Sequence, residues 1–376
     1  MIIHFTTVHP RDDSRMRDKE LAALQRGLGH PVALYVQDGL GPETDRRGGF
    51  PIIDTGAVSG RLRRMTVGAW RMFNAVRRAR PKVAHFHDPE LLPWGMLLSL
   101  FGIKVVYDIH EDVPQQVLHN HHLPQWTRRP VSLLVALVER LSTLFLAGFA
   151  PATPVIGERF PSRKTVLVRN FPILAEMQLP NARPLAERPP HFAYIGTINR
   201  NRNIFRMIDA IAGVQDSSAR LRLAGQFMVA SDKQEAEALP GWQRVIYDSW
   251  LNREEVAEAL STVRAGLVVL KPVPHEMVTL PIKLFEYMAA GLPVIASDFP
   301  LWRQIISEAE CGLLIDPEDT NAIASAMQWI LDHPEEAQRM GDAGRRTVER
   351  LYSWEAESRQ LVSFYRDRLA IAPAAA

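Results

Sequence analysis

The sequence is nearly devoid of cysteine, since Cys311 is the single one among 376 residues. One thiol excludes a disulfide framework and fits a reducing compartment. The first residues, Met1–Thr6, read as a strand and lack the basic start and the long apolar run of a secretory signal. We therefore expect a cytoplasmic protein.

Glycine is missing where a nucleotide-dependent oxidoreductase needs it. Neither half of the chain has a Gly-x-Gly-x-x-Gly turn after its first strand, and the loop Thr7–Ser14 contains no glycine. A dehydrogenase is therefore poorly supported. Compact metal-ligand spacings are missing as well, because the histidines and carboxylates of His85–Glu90 and Tyr107–Asp112 form no His-x-x-x-His pair or similar set. We expect neither a metal ion nor another cofactor.

A long apolar run without charges is also lacking. Val131–Ala150 is strongly apolar, but Glu139 and Arg140 lie at its centre. A charge at mid-bilayer costs about 3 kcal/mol or more. We predict one helix over this range, either buried or resting on a membrane.

The net charge of +2 at pH 7 conceals a difference between the halves. Up to Pro172 there are 23 Lys and Arg against 15 Asp and Glu, and beyond it 21 against 27. Arg61–Arg80 holds seven arginines and no acid, with Trp70, Met72 and Phe73 among them. This pattern predicts a basic amphipathic helix that suits an anionic membrane surface, although a solvated face over a core stripe fits it equally. No nucleic-acid module is recognisable, so we expect no nucleic-acid partner.

Length and alternation predict two α/β domains. With 376 residues and 47% hydrophobic content, the chain is long enough for two cores. Strands and helices alternate in the first half, and the alternation restarts at His191–Gly196 after the proline-rich break Pro180–Pro190. Such alternation predicts two doubly wound parallel sheets with right-handed crossovers. We place the domains at 1–172 and 173–352, followed by a C-terminal helix within 353–376.

Leu280–Asp298 is the most informative stretch of the chain. It reads as a loop, a short helix, a tight turn at Gly291 and a buried strand. Lys283 and Glu286, the two charges on this helix, lie three residues apart near the end of the sheet where open α/β folds bind ligands. An ammonium beside free backbone N–H groups suits a diphosphate, and a carboxylate one turn later could accept two ribose hydroxyls. An ion pair on a solvated helix face is the simpler alternative.

The run Pro281-Ile-Lys-Leu-Phe-Glu-Tyr-Met-Ala-Ala-Gly-Leu-Pro-Val-Ile resembles the donor-site signature of GT-B glycosyltransferases, in particular the large retaining family 4. The resemblance covers almost the whole chain, strongly over Phe192–Arg368 and loosely before it. It implies the GT-B fold, in which two Rossmann-like domains face each other across a cleft and a C-terminal helix crosses back to the first domain. It also implies a hexosyltransferase that uses a nucleoside diphosphate sugar and retains the anomeric configuration.

The resemblance assigns donor binding to the second domain. Phosphate binding falls to the helix entry after Gly196, with Arg202 as the main candidate, and the loop after the third strand would contact the base. The implied donor-binding residues are Gly196, Thr197, Arg200, Arg202, Tyr247, Asp248, Glu276, Pro281, Ile282, Lys283 and Glu286. Family members often carry a further glutamate eight residues before Glu286, where this chain has Val278. Glu276 is the one nearby substitute.

Polar loops at two strand ends of the first domain carry the implied acceptor side. His110 matches by position the histidine that lies near the transferred sugar in this family, while a capping or core histidine is the alternative. The acceptor-side candidates are His9, Arg11, His87, Asp88 and Glu111. No carboxylate stands out as a covalent nucleophile. The implied catalytic residues are therefore Lys283 and Arg202, which stabilise the departing diphosphate, and His110, which orients the reacting hydroxyls.

The expected function is transfer of a sugar from a nucleoside diphosphate sugar to a lipid-linked glycan in bacterial cell-surface polysaccharide synthesis, at the inner face of the plasma membrane. A sugar-nucleotide epimerase or a phosphorylase of the same fold and an inactive sugar-nucleotide-binding subunit are the alternatives. A phosphorylase needs a lysine-bound pyridoxal cofactor and normally a longer chain. An epimerase needs no membrane-facing basic helix. Val278 at the glutamate position favours the inactive subunit.

Overall fold

The computed structural model describes residues 1–119, 123–179 and 182–374. Contacts between Cα atoms divide the chain into two compact units. The first consists of Met1–Asn170 together with Trp354–Ala376, and the second is Phe171–Ser353. The domain limits drawn from the sequence, after residues 172 and 352, lie within two residues of these changes.

The first unit is built on a parallel sheet. Its strands are β1 (Ile2–Phe5), β2 (Val32–Val36), β3 (Glu43–Thr44), β4 (Pro51–Asp54), β5 (Val83–Phe86), β6 (Lys104–Ile109) and β7 (Gly148–Pro151). Their order is β3-β4-β2-β1-β5-β6-β7, and only β3 and β4 pair antiparallel. Strands β1, β2 and β5 are buried along their full length, as continuous apolar strands in parallel sheets are.

The helices of the first unit connect these strands. They are Arg15–Leu21 and Ala22–Leu28, Arg61–Arg63, Arg64–Gly68 and Ala69–Ala79, Leu92–Leu100 after the turn Pro89–Leu91, Val113–His119, Gln125–Phe145, Pro154–Gly157 before the turn Ser162–Lys164, Trp354–Ser363, and Phe364–Arg368. The basic segment Arg61–Arg80 thus forms a helix as predicted, with Met72, Phe73 and Val76 buried. One of its seven arginines, Arg64, donates to both oxygens of the Glu90 carboxylate at 2.9 and 3.0 Å.

Three crossover helices form one layer on the first sheet. Ala69–Ala79 precedes β5, Leu92–Leu100 precedes β6 and Gln125–Phe145 precedes β7, and all three connections run in the same direction across the sheet. Right-handed crossovers therefore place these helices side by side on one face, and Leu92–Leu100 packs against both of the others. On the opposite face, Ala22–Leu28 packs against the C-terminal helix Trp354–Ser363.

The prediction of a single helix over Val131–Ala150 is wrong. The structure has a helix over Gln125–Phe145 and then β7, which pairs with β6. Gly148 allows this strand to approach the C-terminal segment closely, since a Cβ there would lie 2.6 Å from the Phe364 ring. Within the described ranges, no helix is both long enough and apolar enough to cross a membrane.

The second unit repeats the parallel architecture. Its strands are β8 (His191–Ile195), β9 (Arg220–Ala224), β10 (Val245–Asp248), β11 (Ala265–Val268), β12 (Val294–Ser297) and β13 (Gly312–Ile315), in the order β10-β9-β8-β11-β12-β13. Its helices are Ile204–Gly213, Ala230–Glu237, Arg253–Ser261, Pro274–Met277, Ile282–Ala289, Pro300–Ala309, Thr320–Asp332 and Pro334–Leu351. Short turns lie at Leu174–Met177, Leu185–Glu187, Arg200–Arg202 and Pro240–Arg244. All described strand pairs of this sheet are parallel.

Each sheet reverses its direction of growth at one point. The reversal lies between β1 and β5 in the first unit and between β8 and β11 in the second. Open α/β sheets bind ligands beside such a reversal, at the carboxyl ends of the strands. The loops after β1 and β5, and those after β8 and β11, are therefore where a site is expected in each unit.

Candidate functional site

Two glycines bring the loops after β8 and β9 together. Gly196 and Gly225 have φ values of +138° and +144°, which side chains rarely tolerate. A Cβ on Gly225 would lie 2.0 Å from the carbonyl oxygen of Gly196, so no side chain fits there. A Cβ on Gly196 would lie 2.9 Å from Nζ of Lys283. The glycines therefore allow Lys283 to rest against the loop backbone.

Lys283 is buried in the helix Ile282–Ala289. Its Nζ donates a hydrogen bond to Tyr194 Oη at 3.1 Å and lies 4.3 Å from the centre of the Tyr194 ring. Glu276 and Glu286 favour its charged form, but both carboxylates bind arginines instead. Burial, and after it the charge of Arg202, lowers the pKa of Lys283 to about 7. The amine is therefore ready to gain a proton when an anion arrives.

Arg202 faces Glu276 across the loop ends. The Asn199 side chain caps the turn before it by accepting from two backbone N–H groups. Arg202 Nη1 lies 3.3 Å from Glu276 Oε2, and Glu276 is 8% exposed. Val278, which stands where relatives carry a glutamate, is 58% exposed. The structure thus brings Glu276, and not residue 278, towards the charges around Lys283.

Arg200, the weaker phosphate candidate, is directed elsewhere. Its guanidinium binds Asp232 at 2.9 Å and also pairs with Glu235. It also lies 4.9 Å from the centre of the Phe205 ring. Two carboxylates therefore already compensate the charge of Arg200.

Glu286 is fixed by an arginine that the sequence did not single out. Arg253 Nη1 donates to Glu286 Oε1 at 2.8 Å, and Arg253 Nε donates to Glu176 at 2.9 Å. Arg253 begins a helix whose capping box, from Asn252 to Glu255, is an ordinary helix start. No sequence signal marked it, because its partners lie far away along the chain. Of the remaining donor candidates, Pro281 and Ile282 form the start of the Lys283 helix.

A cavity of about 360 Å³ opens beside the Gly196 loop. It is lined by Ile195, Gly196, Thr197, Ala224, Gly225, Gln226, Met228, Trp250 and Leu251. Tyr247 and Asp248 do not line it but support its wall. Tyr247 Oη donates to the Gly225 carbonyl at 3.0 Å, and Asp248 accepts from Arg222 at 2.7 Å. Gln226, Met228 and Leu251 were missed because loop residues carry no periodic signal.

In the first unit, the loops after β1, β5 and β6 bring three histidines together. His87 Nδ1 lies 3.2 Å from His110 Nε2, and the ring centres of His9 and His110 are 4.9 Å apart. Asp88 fixes the glycine-free loop by accepting from the Thr7 N–H at 2.6 Å. Four of the acceptor-side and catalytic candidates are thus neighbours in space.

A buried carboxylate anchors these histidines from below. Asp108 Oδ2 lies 3.1 Å from His87 Nδ1 and 3.4 Å from His110 Nε2. Arg15 binds the same carboxylate through two nitrogens at 2.8 and 3.1 Å. Burial alone would raise the pKa of Asp108, but Arg15 and His110 hold it well below its usual range. Asp108 is therefore ionised and gives the histidine pair a fixed negative partner.

Four buried residues of this region could also offer ligands to a metal ion. Glu20, His85, His87 and Asp108 each place one ligand atom within 4.8 Å of the others. However, Arg15 already binds both carboxylates, with Nε 3.0 Å from Glu20 Oε1, and would repel a second positive charge. Burial, reinforced by Asp108, raises the pKa of Glu20 well above its usual range. We interpret the group as a buried cluster of charged and polar side chains arranged around Arg15.

The two other acceptor-side candidates lie outside the histidine group. Arg11 binds Asp38 and Glu43, each at 2.7 Å. Glu111 is exposed and accepts a hydrogen bond from Gln116. The structure therefore does not bring Arg11 or Glu111 together with His110.

These two parallel-sheet units, with a buried lysine against a glycine loop in the second, define a two-domain α/β protein of the GT-B type. The family described as glycosyl transferases group 1 matches residues 177–347, and the one described as glycosyl transferase 4-like domain matches residues 17–165. The chain belongs to the GT-B glycosyltransferases, in the family 4-like group, and is an enzyme of the hexosyltransferase class. The resemblance to GT-B glycosyltransferases and the α/β fold class, both predicted from the sequence, are confirmed.

Individual relatives are distant. The MMP alpha-(1->4)-mannosyltransferase of Mycolicibacterium hassiacum is 22% identical over 76% of this chain and 70% of that protein. Sulfoquinovosyl transferase SQD2 of Arabidopsis thaliana is 21% identical over 77% of this chain, which spans 58% of that protein. Among solved structures, sucrose-phosphate synthase from Thermosynechococcus elongatus has a TM-score of 0.71 at 20% identity, covering 99% of both chains. At that identity the structural likeness shows the fold alone.

Replacing Lys283 by methionine should stabilise the unliganded protein at neutral pH. The folded pKa of about 7 lies below the value near 10.4 of an unfolded lysine, so between these pH values the unfolded chain holds one more proton. The free energy of unfolding of the wild type should therefore rise with pH relative to Lys283→Met, by roughly 4 kcal/mol across the window.

Denaturant unfolding of the two proteins at about pH 7 and about pH 10 measures this difference. The exposed Lys82→Met is the matched control and should show no such trend relative to wild type. A difference between wild type and Lys283→Met that stays constant with pH would contradict the burial of an uncharged amine.

Proposed function

We propose that this enzyme transfers a hexose from a nucleoside diphosphate sugar to a lipid-linked glycan, with retention of configuration, in cell-surface polysaccharide synthesis. The observation that carries the proposal is Lys283, a buried amine against the Gly196 loop at the reversal of the second sheet. Strongly shifted pKa values in such a position are typical of functional sites. A diphosphate is an anion that would make the burial of this amine favourable.

Lys283 and Arg202 would stabilise the departing diphosphate without a metal ion. Donors aimed at charge that develops in a dry site supply a large part of catalysis in many enzymes. Arg202 now faces Glu276, and a bound diphosphate would compete for its guanidinium. Glu276 would then be available to accept hydroxyls of the transferred sugar, in place of the glutamate that is missing at Val278.

The remaining donor contacts follow from the same loops. Glu286, held by Arg253, would accept ribose hydroxyls through charge-assisted hydrogen bonds. The cavity beside Gly196 would receive the base. Trp250, which lines that cavity and is 62% exposed, offers an aromatic face for stacking.

On the acceptor side, His110 would orient the reacting hydroxyl. Among the described residues, its hydrogen-bond contacts with Asp108 and His87 are made at Nε2, so Nδ1 is the nitrogen that a substrate can reach. The ionised Asp108, itself held by Arg15, would keep the ring in place. His110 would thus act as a positioned hydrogen-bonding group.

Named relatives support a nucleotide sugar and a lipid-linked acceptor. HepE from Anabaena was solved with UDP-glucose and has a TM-score of 0.72. WaaG, a glycosyltransferase involved in lipopolysaccharide biosynthesis, has a TM-score of 0.70 at 16% identity. A phosphatidyl-myo-inositol mannosyltransferase of Mycobacterium leprae is 36% identical over 22% of this chain and 22% of its own. Together with the arginines of Arg61–Arg80, these names support a site of action at the inner face of the plasma membrane.

A second candidate is a subunit that binds a sugar nucleotide without transferring the sugar. One observation favours it: Val278 is exposed where a sugar-binding glutamate is usual, and Glu276 is paired with Arg202. In that case the nucleotide would bind, but no donor would be consumed.

A screen of UDP-, GDP- and dTDP-sugars for hydrolysis and transfer tests the proposal. Lys283→Ala should lower turnover by roughly 10²-fold or more, because a charged donor to a developing anion is worth about 3 kcal/mol. Glu286→Gln should instead weaken donor binding in calorimetry, since the amide loses a charge-assisted pair. Lys82→Ala, at an exposed position of the first unit, should equal the wild type. Nucleotide binding without turnover of any donor would favour the inactive subunit, and near-normal activity of Lys283→Ala would remove the lysine from catalysis.

His110→Ala should abolish transfer while leaving nucleotide affinity and melting temperature near wild type. The reason is that His110 is only partly buried, with 21% of its side chain exposed, and belongs to the first unit, whereas the donor-binding candidates belong to the second. Transfer assays, calorimetry and thermal unfolding measure the three quantities. Exposed His333→Ala is the control. A large loss of stability in His110→Ala would assign this residue to the structural network around Asp108.

A further inference from the structure

The helix Gln125–Phe145 buries polar side chains and exposes apolar ones, the reverse of what is usual for a helix on a protein surface. Its buried side chains are polar: Ser132, Glu139 and Ser142. Ser132 donates to the Pro114 carbonyl at 2.8 Å, and Glu139, 2% exposed, pairs with Arg159. A surface helix ordinarily turns such residues to water and its leucines to the core.

The outward face of this helix is apolar instead. Its exposed members are Trp126, Leu133, Leu134, Leu137, Leu141, Leu144 and Phe145, and we call them the outer stripe. Trp126 is 82% exposed, Leu144 75% and Leu133 70%. Spacings of three, four and seven residues put them on one side of the helix, over a length of about 27 Å at 1.5 Å per residue. Contiguous exposed apolar surface of this kind marks an interaction site.

The neighbouring helices continue the same surface. The helix Leu92–Leu100, which packs beside Gln125–Phe145, exposes Leu97 and Leu100. Phe101, directly after this helix, is exposed as well. The next helix of the layer, Ala69–Ala79, exposes Trp70 and carries arginines. The outer stripe is therefore the centre of a broad apolar face on one side of the first sheet.

Arginines accompany this face where it meets the basic helix. Arg77, Arg78 and Arg80 line a cavity of about 740 Å³ together with Phe101. The Arg77 guanidinium lies 5.2 Å from the centre of the Phe101 ring. Stacking on an aromatic ring holds a guanidinium at an apolar edge while leaving its N–H groups free for a phosphate.

The charges of the three helices favour an anionic membrane over a second copy of the chain as the partner of this face. Together, Ala69–Ala79, Leu92–Leu100 and Gln125–Phe145 contain six arginines and a single acid, the buried and paired Glu139. A second copy of the chain would bring arginines against arginines. An anionic bilayer offers phosphates to the arginines and acyl chains to the leucines.

We propose that these three helices form a membrane-docking face, in which the outer stripe enters the acyl boundary of an anionic leaflet while the arginines bind lipid phosphates. The inference deepens the proposed function, because it supplies the surface that would bring a lipid-linked acceptor to the enzyme. The helix would lie along the interface and not across the bilayer.

Flotation with vesicles of phosphatidylglycerol and phosphatidylcholine tests the docking face. The wild type should bind these vesicles and not phosphatidylcholine alone. Binding should weaken between about 0.1 M and about 1 M salt, because the Debye length shortens from about 10 Å to about 3 Å and the attraction between arginines and lipid phosphates is screened. Replacing Leu134, Leu137, Leu141 and Leu144 by glutamine should weaken binding roughly tenfold or more, since this apolar surface would no longer leave water. Because these side chains are already exposed, the variant should fold.

Controls separate this inference from the proposed reaction. Leu40→Gln, which changes a leucine that is 73% exposed outside the docking face, should bind vesicles like the wild type. Vesicle binding is measured without sugar donor or acceptor, and donor hydrolysis by the leucine variant should remain unchanged. Failure of wild-type binding, or full binding by the leucine variant, would overturn the docking face whatever the enzyme transfers. A wild-type dimer that the leucine substitutions convert to a monomer would assign the face to a second copy.

Discussion

The second unit depends on the burial of one amine beneath a loop that only glycine can form. Lys283 reaches Tyr194 beside the Gly196 backbone because Gly196 leaves no side chain in its way, while Gly225 lets the neighbouring loop approach the Gly196 carbonyl. Six of the eight residues of its helix are buried, so the helix is held against the sheet and the amine cannot swing into water. The chain thus maintains a buried lysine with a lowered pKa, at a cost in stability, at the point where the sheet reverses. A site that receives a diphosphate gives this cost a purpose.

The first unit, also built on a parallel sheet, stabilises the charged form of a buried group, whereas burial in the second unit disfavours the charged form of Lys283. It keeps a carboxylate ionised in a dry interior, because Arg15 binds Asp108 through two nitrogens, while burial beside Asp108 raises the pKa of Glu20. The loops after β5 and β6 can then hold His87 and His110 in fixed positions. Meanwhile the helix layer on one face of the same sheet turns leucines outwards. One sheet therefore carries a rigid polar cluster at its strand ends and an apolar surface on its helices.

Both sheets and the position of Lys283 were predictable, because buried parallel strands read as apolar runs and the Leu280–Asp298 stretch combines several local signals. Strand β7 was absorbed into a predicted helix because its apolar residues continue the preceding run. Arg253 and Arg15 could not be found, since ion pairs that join distant segments leave no periodic trace in a sequence. The apolar composition of Val131–Ala150 indicated a helix without telling which of its sides faces the core. That choice is made by tertiary partners such as Arg159, which draws Glu139 inwards.

The central claim is that burial lowers the pKa of Lys283 to about 7 and that a bound diphosphate raises it, so that the amine takes up a proton on binding. Calorimetric titration with a nucleoside diphosphate at about pH 8, in buffers of different ionisation enthalpy, counts the protons taken up on binding. With a free pKa of about 7, the account predicts uptake of close to one proton at that pH, and much less in Lys283→Arg, whose guanidinium is always charged. Tight binding by the wild type without proton uptake would contradict the account.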